Sequence, residues 1–137
     1  MLKIEEVRDM VIQLGSKIGL EEKSKFYPMF SASSHVFNEG ESIYVDESKY
    51  HYIIMERGKI NKHYESEKIE DILYPLFKSI TSSLASKYEL QHRNSDEDSR
   101  KVRWSKQVEL LENIDKRFAY IREKEIADIL KISSYVK

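Results

Sequence analysis

The sequence predicts an α+β domain: an N-terminal helix, a small antiparallel three-stranded meander, then three or so C-terminal helices packed on one face of the sheet. Three observations lead there. Apolar residues step by three and four near the N-terminus and again through the second half of the chain. Between them, residues 42–65 alternate with the period of two that belongs to strands. Finally, 137 residues with 40% hydrophobic and 34% charged content suit one domain, 1–137, with a modest core under a well-solvated surface.

In the first helix Ile4, Val7, Val11, Leu14 and Ile18 form the apolar line, while Lys3, Glu5, Glu6, Arg8 and Asp9 fall off it and Gly19 ends it. From Leu20 to Glu41, Pro28, the run Ser31-Ala32-Ser33-Ser34 and Gly40 mark loop, with a short extended piece near His35 to Phe37. Ser42 to Asp46 alternates as a strand, Glu47-Ser48-Lys49 turns the chain, and Tyr50 to Glu56 continues it. The run Tyr50-His51-Tyr52-Ile53-Ile54-Met55-Glu56 reads as one edge of a small sheet, with Tyr50, Tyr52, Ile54 and Glu56 on one face. Arg57-Gly58 turns the chain again into Lys59 to Glu65, although neither turn carries the strong Asn-Gly signal.

A long helix is expected from about Glu67, capped by Ser66, with Ile69, Ile72, Leu73, Leu76, Phe77, Ile80, Leu84 and Tyr88 as its apolar face. Pro75 removes a hydrogen bond to the Asp71 carbonyl and is expected to bend this helix. Ser79, Ser82, Ser83 and Ser86 make a small-residue stripe suited to close helix packing. Asn94 to Asp98 is polar loop; Trp104, Val108 and Leu111 mark a third helix that breaks at Asn113 to Asp115. A last helix begins near Lys116, with Phe118, Ile121, Ile126, Ile129 and Leu130 as its apolar positions.

Net charge is −1, so no overall field draws the chain to nucleic acid or a membrane. The signs are segregated nonetheless: Glu39, Glu41, Asp46 and Glu47 form an acidic strip, whereas Arg100, Lys101, Arg103 and Lys106 cluster later. Such a strip suits a basic protein partner; the same charges also read as a solvated loop. The chain has no cysteine, no leader-like apolar block and no apolar run long enough to span a bilayer, so a cytoplasmic protein is expected. Nine tyrosines and one tryptophan favour a binding surface, for which Tyr44, Tyr50 and Tyr52 are candidates; the alternative is that they close the rim of the core.

The four histidines, His35, His51, His63 and His92, show no metal-ligand spacing such as HExxH, so neither a metal nor another cofactor is expected. Glu56, Arg57, His92 and Arg93 contain the groups for a small phosphoester-processing enzyme, but their spacing does not bring them together. The competing reading is local, since Glu89 and Arg93, and Tyr88 and His92, stand four apart on a helix. Asp96-Glu97-Asp98 suits a helix N-terminus.

The stretch ending Glu56-Arg57-Gly58, then Leu73-Tyr74, Ser83-Leu84-Ala85-Ser86-Lys87-Tyr88-Glu89-Leu90-Gln91-His92-Arg93, Asp98-Ser99-Arg100-Lys101 and Gln107-Val108-Glu109-Leu110-Leu111 resemble, in that order, the immunity protein 63 family of bacterial polymorphic toxin systems. The resemblance covers roughly residues 42–130, with departures at Pro75, Lys101 and Trp104. It implies a non-catalytic protein, a monomer or weak homodimer, that binds and silences a cognate toxin in contact-dependent competition. It also implies that Glu56, Arg57, Gly58, Tyr74, Glu89, His92, Arg93, Asp98, Arg100 and Gln107 belong to a shared framework. A protein-interaction module with some other partner is the remaining alternative.

Overall fold

A computed structural model describes residues 1–32 and 39–136. The extended piece expected near His35 to Phe37 lies outside them. The element order is α1 (Ile4–Ser16), β1 (Met29–Ser31), β2 (Gly40–Val45), β3 (Tyr50–Glu56), β4 (Lys59–Ser66), α2 (Glu70–Gln91), α3 (Ser99–Ile114) and α4 (Lys116–Ile132). The class is α+β as expected, and the contacts gather into two units, Met1–Leu76 and Phe77–Lys137.

In the first unit α1 starts where the Glu6 carboxylate accepts the Lys3 N–H at 2.9 Å. The Leu2 N–H donates to the Tyr50 hydroxyl at 2.8 Å and ties that start to β3. Val7 and Val11, one turn apart, are fully buried. Gly15 has a separate reason to be glycine: a Cβ there would stand 2.0 Å from the Tyr27 hydroxyl oxygen.

Among the described residues the sheet has four strands in the order β1-β2-β3-β4 and is mixed, which corrects the expected three-stranded antiparallel meander. β2, β3 and β4 do form that meander. The addition is β1, parallel to β2 with Met29 opposite Ser42 and Ser31 opposite Tyr44. Three residues directly after Pro28 are too few to display alternation, and a parallel neighbour needs no hairpin turn to announce it. β3 is therefore an interior strand rather than an edge, and Tyr50, His51, Tyr52 and Ile53 are all buried because both of its neighbours and both of its faces are covered.

The β3–β4 turn consists of Arg57 (φ 54°) and Gly58 (φ 75°), both left-handed, as a two-residue hairpin turn matching the strand twist requires. An arginine there is strained by about 1–2 kcal/mol. Arg57→Asn, which tolerates this conformation, is therefore expected to raise stability by about 0.5–1 kcal/mol in urea unfolding; a loss would contradict the assigned turn.

α2 begins at Glu70, three residues later than expected. Ser66 ends β4 instead of capping: its hydroxyl accepts the Lys68 N–H at 3.1 Å and donates to Asp71 at 2.6 Å. Pro75 lies inside an uninterrupted helix.

In the second unit Asp98 caps α3 by accepting the Arg100 N–H at 3.0 Å, and Asp115 both ends α3 and caps α4 by accepting the Arg117 N–H at 2.9 Å. Trp104, Leu111, Ile114, Phe118, Ala119 and Ile126 form its apolar interior. Ser82 and Ser83 are exposed, so the serine stripe is not the close-packing face; buried Thr81 and Ala85 are the small residues turned inward.

Candidate functional site

Two of the four acidic residues of the strip, Glu39 and Asp46, hold turns as well as carrying charge. Glu39 accepts the Arg57 and Gly58 N–H groups at 3.0 and 2.5 Å, holding the β3–β4 turn from a position distant in sequence. Glu41 accepts the Tyr52 hydroxyl. Asp46 ends β2, where its carboxylate accepts the Ser48 and Lys49 N–H groups at 2.8 and 2.7 Å and faces His51 Nε2 at 2.6 Å. Those two backbone donors, with His51 behind them, hold the Asp46 carboxyl down to about 2, so it is charged throughout the physiological range. Glu47 stands exposed at the tip of the same turn.

The candidate tyrosines lie on β2 and β3, between the two ends of this strip. Tyr44, Tyr50 and Tyr52 are 9%, 4% and 0% exposed, so little of their rings is open to a partner and the expected tyrosine surface is a core layer. Their alternation explains this: both faces of β2 and β3 are covered, and ring area is removed from water on each. Tyr52 stacks on Tyr64 at 5.6 Å on one face, and Tyr44 stacks on His51 at 4.3 Å with planes 6° apart on the other. Burial pushes the Tyr44 phenol upward, and the carboxylates of Asp46 and Glu65 add to it.

Strand register brings together histidines that sequence spacing keeps apart. Antiparallel register sets His51 opposite Glu65 and Ile53 opposite His63, which places His63 diagonally beside His51. His51 Nδ1 lies 2.8 Å from His63 Nε2 and 3.6 Å from Glu65 Oε2. Lys49 Nζ reaches the other Glu65 oxygen at 3.4 Å. The signal was present in the chain as His51, His63 and Glu65 on two strands of one hairpin, but it becomes legible only once the register is known.

The framework residues have local duties. Arg57 and Gly58 are the hairpin turn, with Glu56 exposed at the strand end opposite Lys59, and Tyr74 is half-buried in α2. Arg93 grips buried Glu89 through two bonds of 2.9 and 2.8 Å and holds its carboxyl below the usual range. His92 accepts or donates nothing beyond its own helix in the bonds it makes to Tyr88: its Nδ1 lies 2.9 Å from the Tyr88 carbonyl and its ring stacks on the Tyr88 ring at 4.1 Å. The four groups considered for phosphoester chemistry thus divide, Glu56 and Arg57 falling in the first unit and His92 and Arg93 in the second.

Asp98 and Arg100 fasten the C-terminal segment. Arg100 Nη2 bonds Asp98 at 2.9 Å and the Ser134 carbonyl at 2.9 Å, while Nη1 bonds the Ser133 carbonyl at 2.9 Å. The guanidinium holds the Asp98 carboxyl far below the usual carboxylate range. Gln107, 1% exposed, donates to the Lys78 carbonyl at 3.0 Å and accepts from Arg122 Nε at 2.8 Å, joining α2, α3 and α4.

Among the described residues no helix is long and apolar enough to cross a membrane. Neither the curated proteins nor the solved structures contain a significant match to the chain. The model of one protein family, described as Immunity protein 63, matches residues 46–128. That span runs from Asp46 at the β2–β3 turn into α4, takes in every framework residue named above, and leaves Glu39, Glu41 and Tyr44 outside. Covering more than half of the chain, the match shows that the protein belongs to the immunity protein 63 family.

Proposed function

We propose that residues 1–137 act as one immunity domain that binds a cognate bacterial toxin and silences it by occlusion, without turnover. The observation that carries this reading is the family match over residues 46–128. The framework supports it: the buried Gln107–Arg122 pair and the Arg93 clamp on buried Glu89 suit a rigid scaffold, which loses little entropy when a partner docks. The protein works as a monomer or weak homodimer in the cytoplasm of the toxin-producing cell, and an interface of roughly 1,200–2,000 Å2 suffices.

The acidic rim, with Glu39 and Glu41 toward one end of β2 and Asp46 and Glu47 beyond the other, is the proposed approach surface, matched to a basic toxin. Because Glu39 and Asp46 also hold turns, only Glu47 tests charge without disturbing the fold. Glu47→Lys is expected to slow association with the toxin on the order of 2–10-fold at low ionic strength, an effect that fades with added salt. An unchanged association rate would remove the rim from the interface. The function itself is tested by co-expression with the toxin domain encoded beside this gene. Survival and copurification are expected, and equal killing with and without an intact gene would refute the proposal.

A further inference from the structure

The histidine–carboxylate cluster on the β3–β4 hairpin has the composition of a metal site, and it owes nothing to the immunity reading. We propose that His51 Nδ1, His63 Nε2 and Glu65 Oε2 bind one divalent transition-metal ion of the Zn2+ class. These three atoms are 2.8, 3.6 and 3.9 Å apart. Tetrahedral zinc with bonds of about 2.0–2.1 Å needs ligand separations of about 3.3–3.4 Å, which the three distances straddle. The two imidazole nitrogens must part by about half an ångström, and Glu65 Oε2 must close on His63 Nε2 by about as much. The His63 side chain, 35% exposed, has the room to do so, while that of His51, 6% exposed, stays fixed.

The surroundings of His51 are those of a ligand histidine. Asp46 accepts from Nε2 at 2.6 Å, which places the proton of the neutral ring there and leaves Nδ1 with a lone pair aimed at His63. Asp46 is itself anchored by the Ser48 and Lys49 N–H groups, and the Tyr44 ring lies flat against the imidazole. With Nδ1 accepting, the 2.8 Å contact to His63 is a hydrogen bond in which His63 Nε2 donates. A metal ion takes the place of that proton: each nitrogen gives its lone pair to the ion, and the His63 proton moves through solvent from Nε2 to Nδ1, so both rings ligate as neutral imidazoles. Lys49 pairs with Glu65 Oε1, so Oε2 is the oxygen turned to the site. Two imidazoles and one carboxylate select zinc-like ions over Mg2+ or Ca2+, and partial exposure leaves a fourth position to water.

The test is calorimetric titration of the full chain, with any affinity tag removed and metal stripped by chelator, against Zn2+ and, for its visible spectrum, Co2+. One equivalent is expected to bind with a rise in Tm. His63→Gln and Glu65→Gln, both at partly exposed positions, are expected to weaken binding by about 100-fold or more, Asp46→Asn by about 10–100-fold, and His92→Gln not at all. Circular dichroism of each apo variant confirms that it is folded. Absence of saturable binding at one equivalent, or equal affinity in folded His63→Gln, would overturn the site.

Discussion

Gln107→Ala is expected to remove about 2–4 kcal/mol of stability, far more than its loss of side-chain volume would suggest. The amide is 1% exposed and uses both ends: its nitrogen serves the Lys78 carbonyl and, at 3.4 Å, the Thr81 hydroxyl, while its oxygen receives Arg122. Truncation leaves a buried guanidinium N–H and a helix carbonyl without this partner, and each such group costs about 1–3 kcal/mol. Arg122 keeps its bond of 3.2 Å to Glu125, which in turn pairs with Lys78 at 3.1 Å, so the loss stops short of unfolding the helices. Urea unfolding measures it. The double variant Gln107→Leu with Arg122→Met is expected to lose less than the sum of the two singles, because removing both partners leaves neither one orphaned. A Gln107→Ala variant within about 0.5 kcal/mol of the parent would show that the network is not what joins α2, α3 and α4.

Gly15→Ala is expected to destabilise by about 1–3 kcal/mol, opposite in sign to the helix propensities, which favour alanine by about 1 kcal/mol. The added methyl would meet the Tyr27 hydroxyl oxygen at 2.0 Å and its Cε1 at 2.7 Å, so the ring must leave its place beside α1 and give up its bond of 3.4 Å to the Ile12 carbonyl. Tyr27→Ala in the same chain opens that space, and in this background Gly15→Ala is expected to become neutral or stabilising. A destabilisation that persisted without the tyrosine would place the cause elsewhere.

How much of this was readable from the chain follows from the range of each interaction. The strand Tyr50–Glu56 and the joint at Asp115 were legible because alternation, turn residues and caps are local. β1 was not, since three residues after Pro28 carry no period and their partner strand begins nine residues further on. Glu39 looked like one charge in a loop, because its use at Arg57 and Gly58 depends on β2 returning beside the next turn. The tyrosines were visible as a group, but whether they face solvent depended on how many strands flank them and on what covers each face, neither of which is a sequence pattern. His51 and His63 failed a search by helical ligand spacing for the same reason: in a hairpin, proximity comes from register. Gly15 gave no signal at all within the apolar periodicity of α1, since its constraint comes from Tyr27. The family, by contrast, was legible in short segments spread over roughly residues 42–130, and the family model matches residues 46–128.

The most direct test of inhibition by occlusion is a titration of purified toxin activity with the purified protein. Activity falling linearly to zero at one equivalent, with a 1:1 complex recovered intact by size exclusion, is the expected result. Complete loss of toxin activity at a small fraction of an equivalent, with no complex formed, would mean that the protein modifies its target by turnover and would contradict the stoichiometric mechanism.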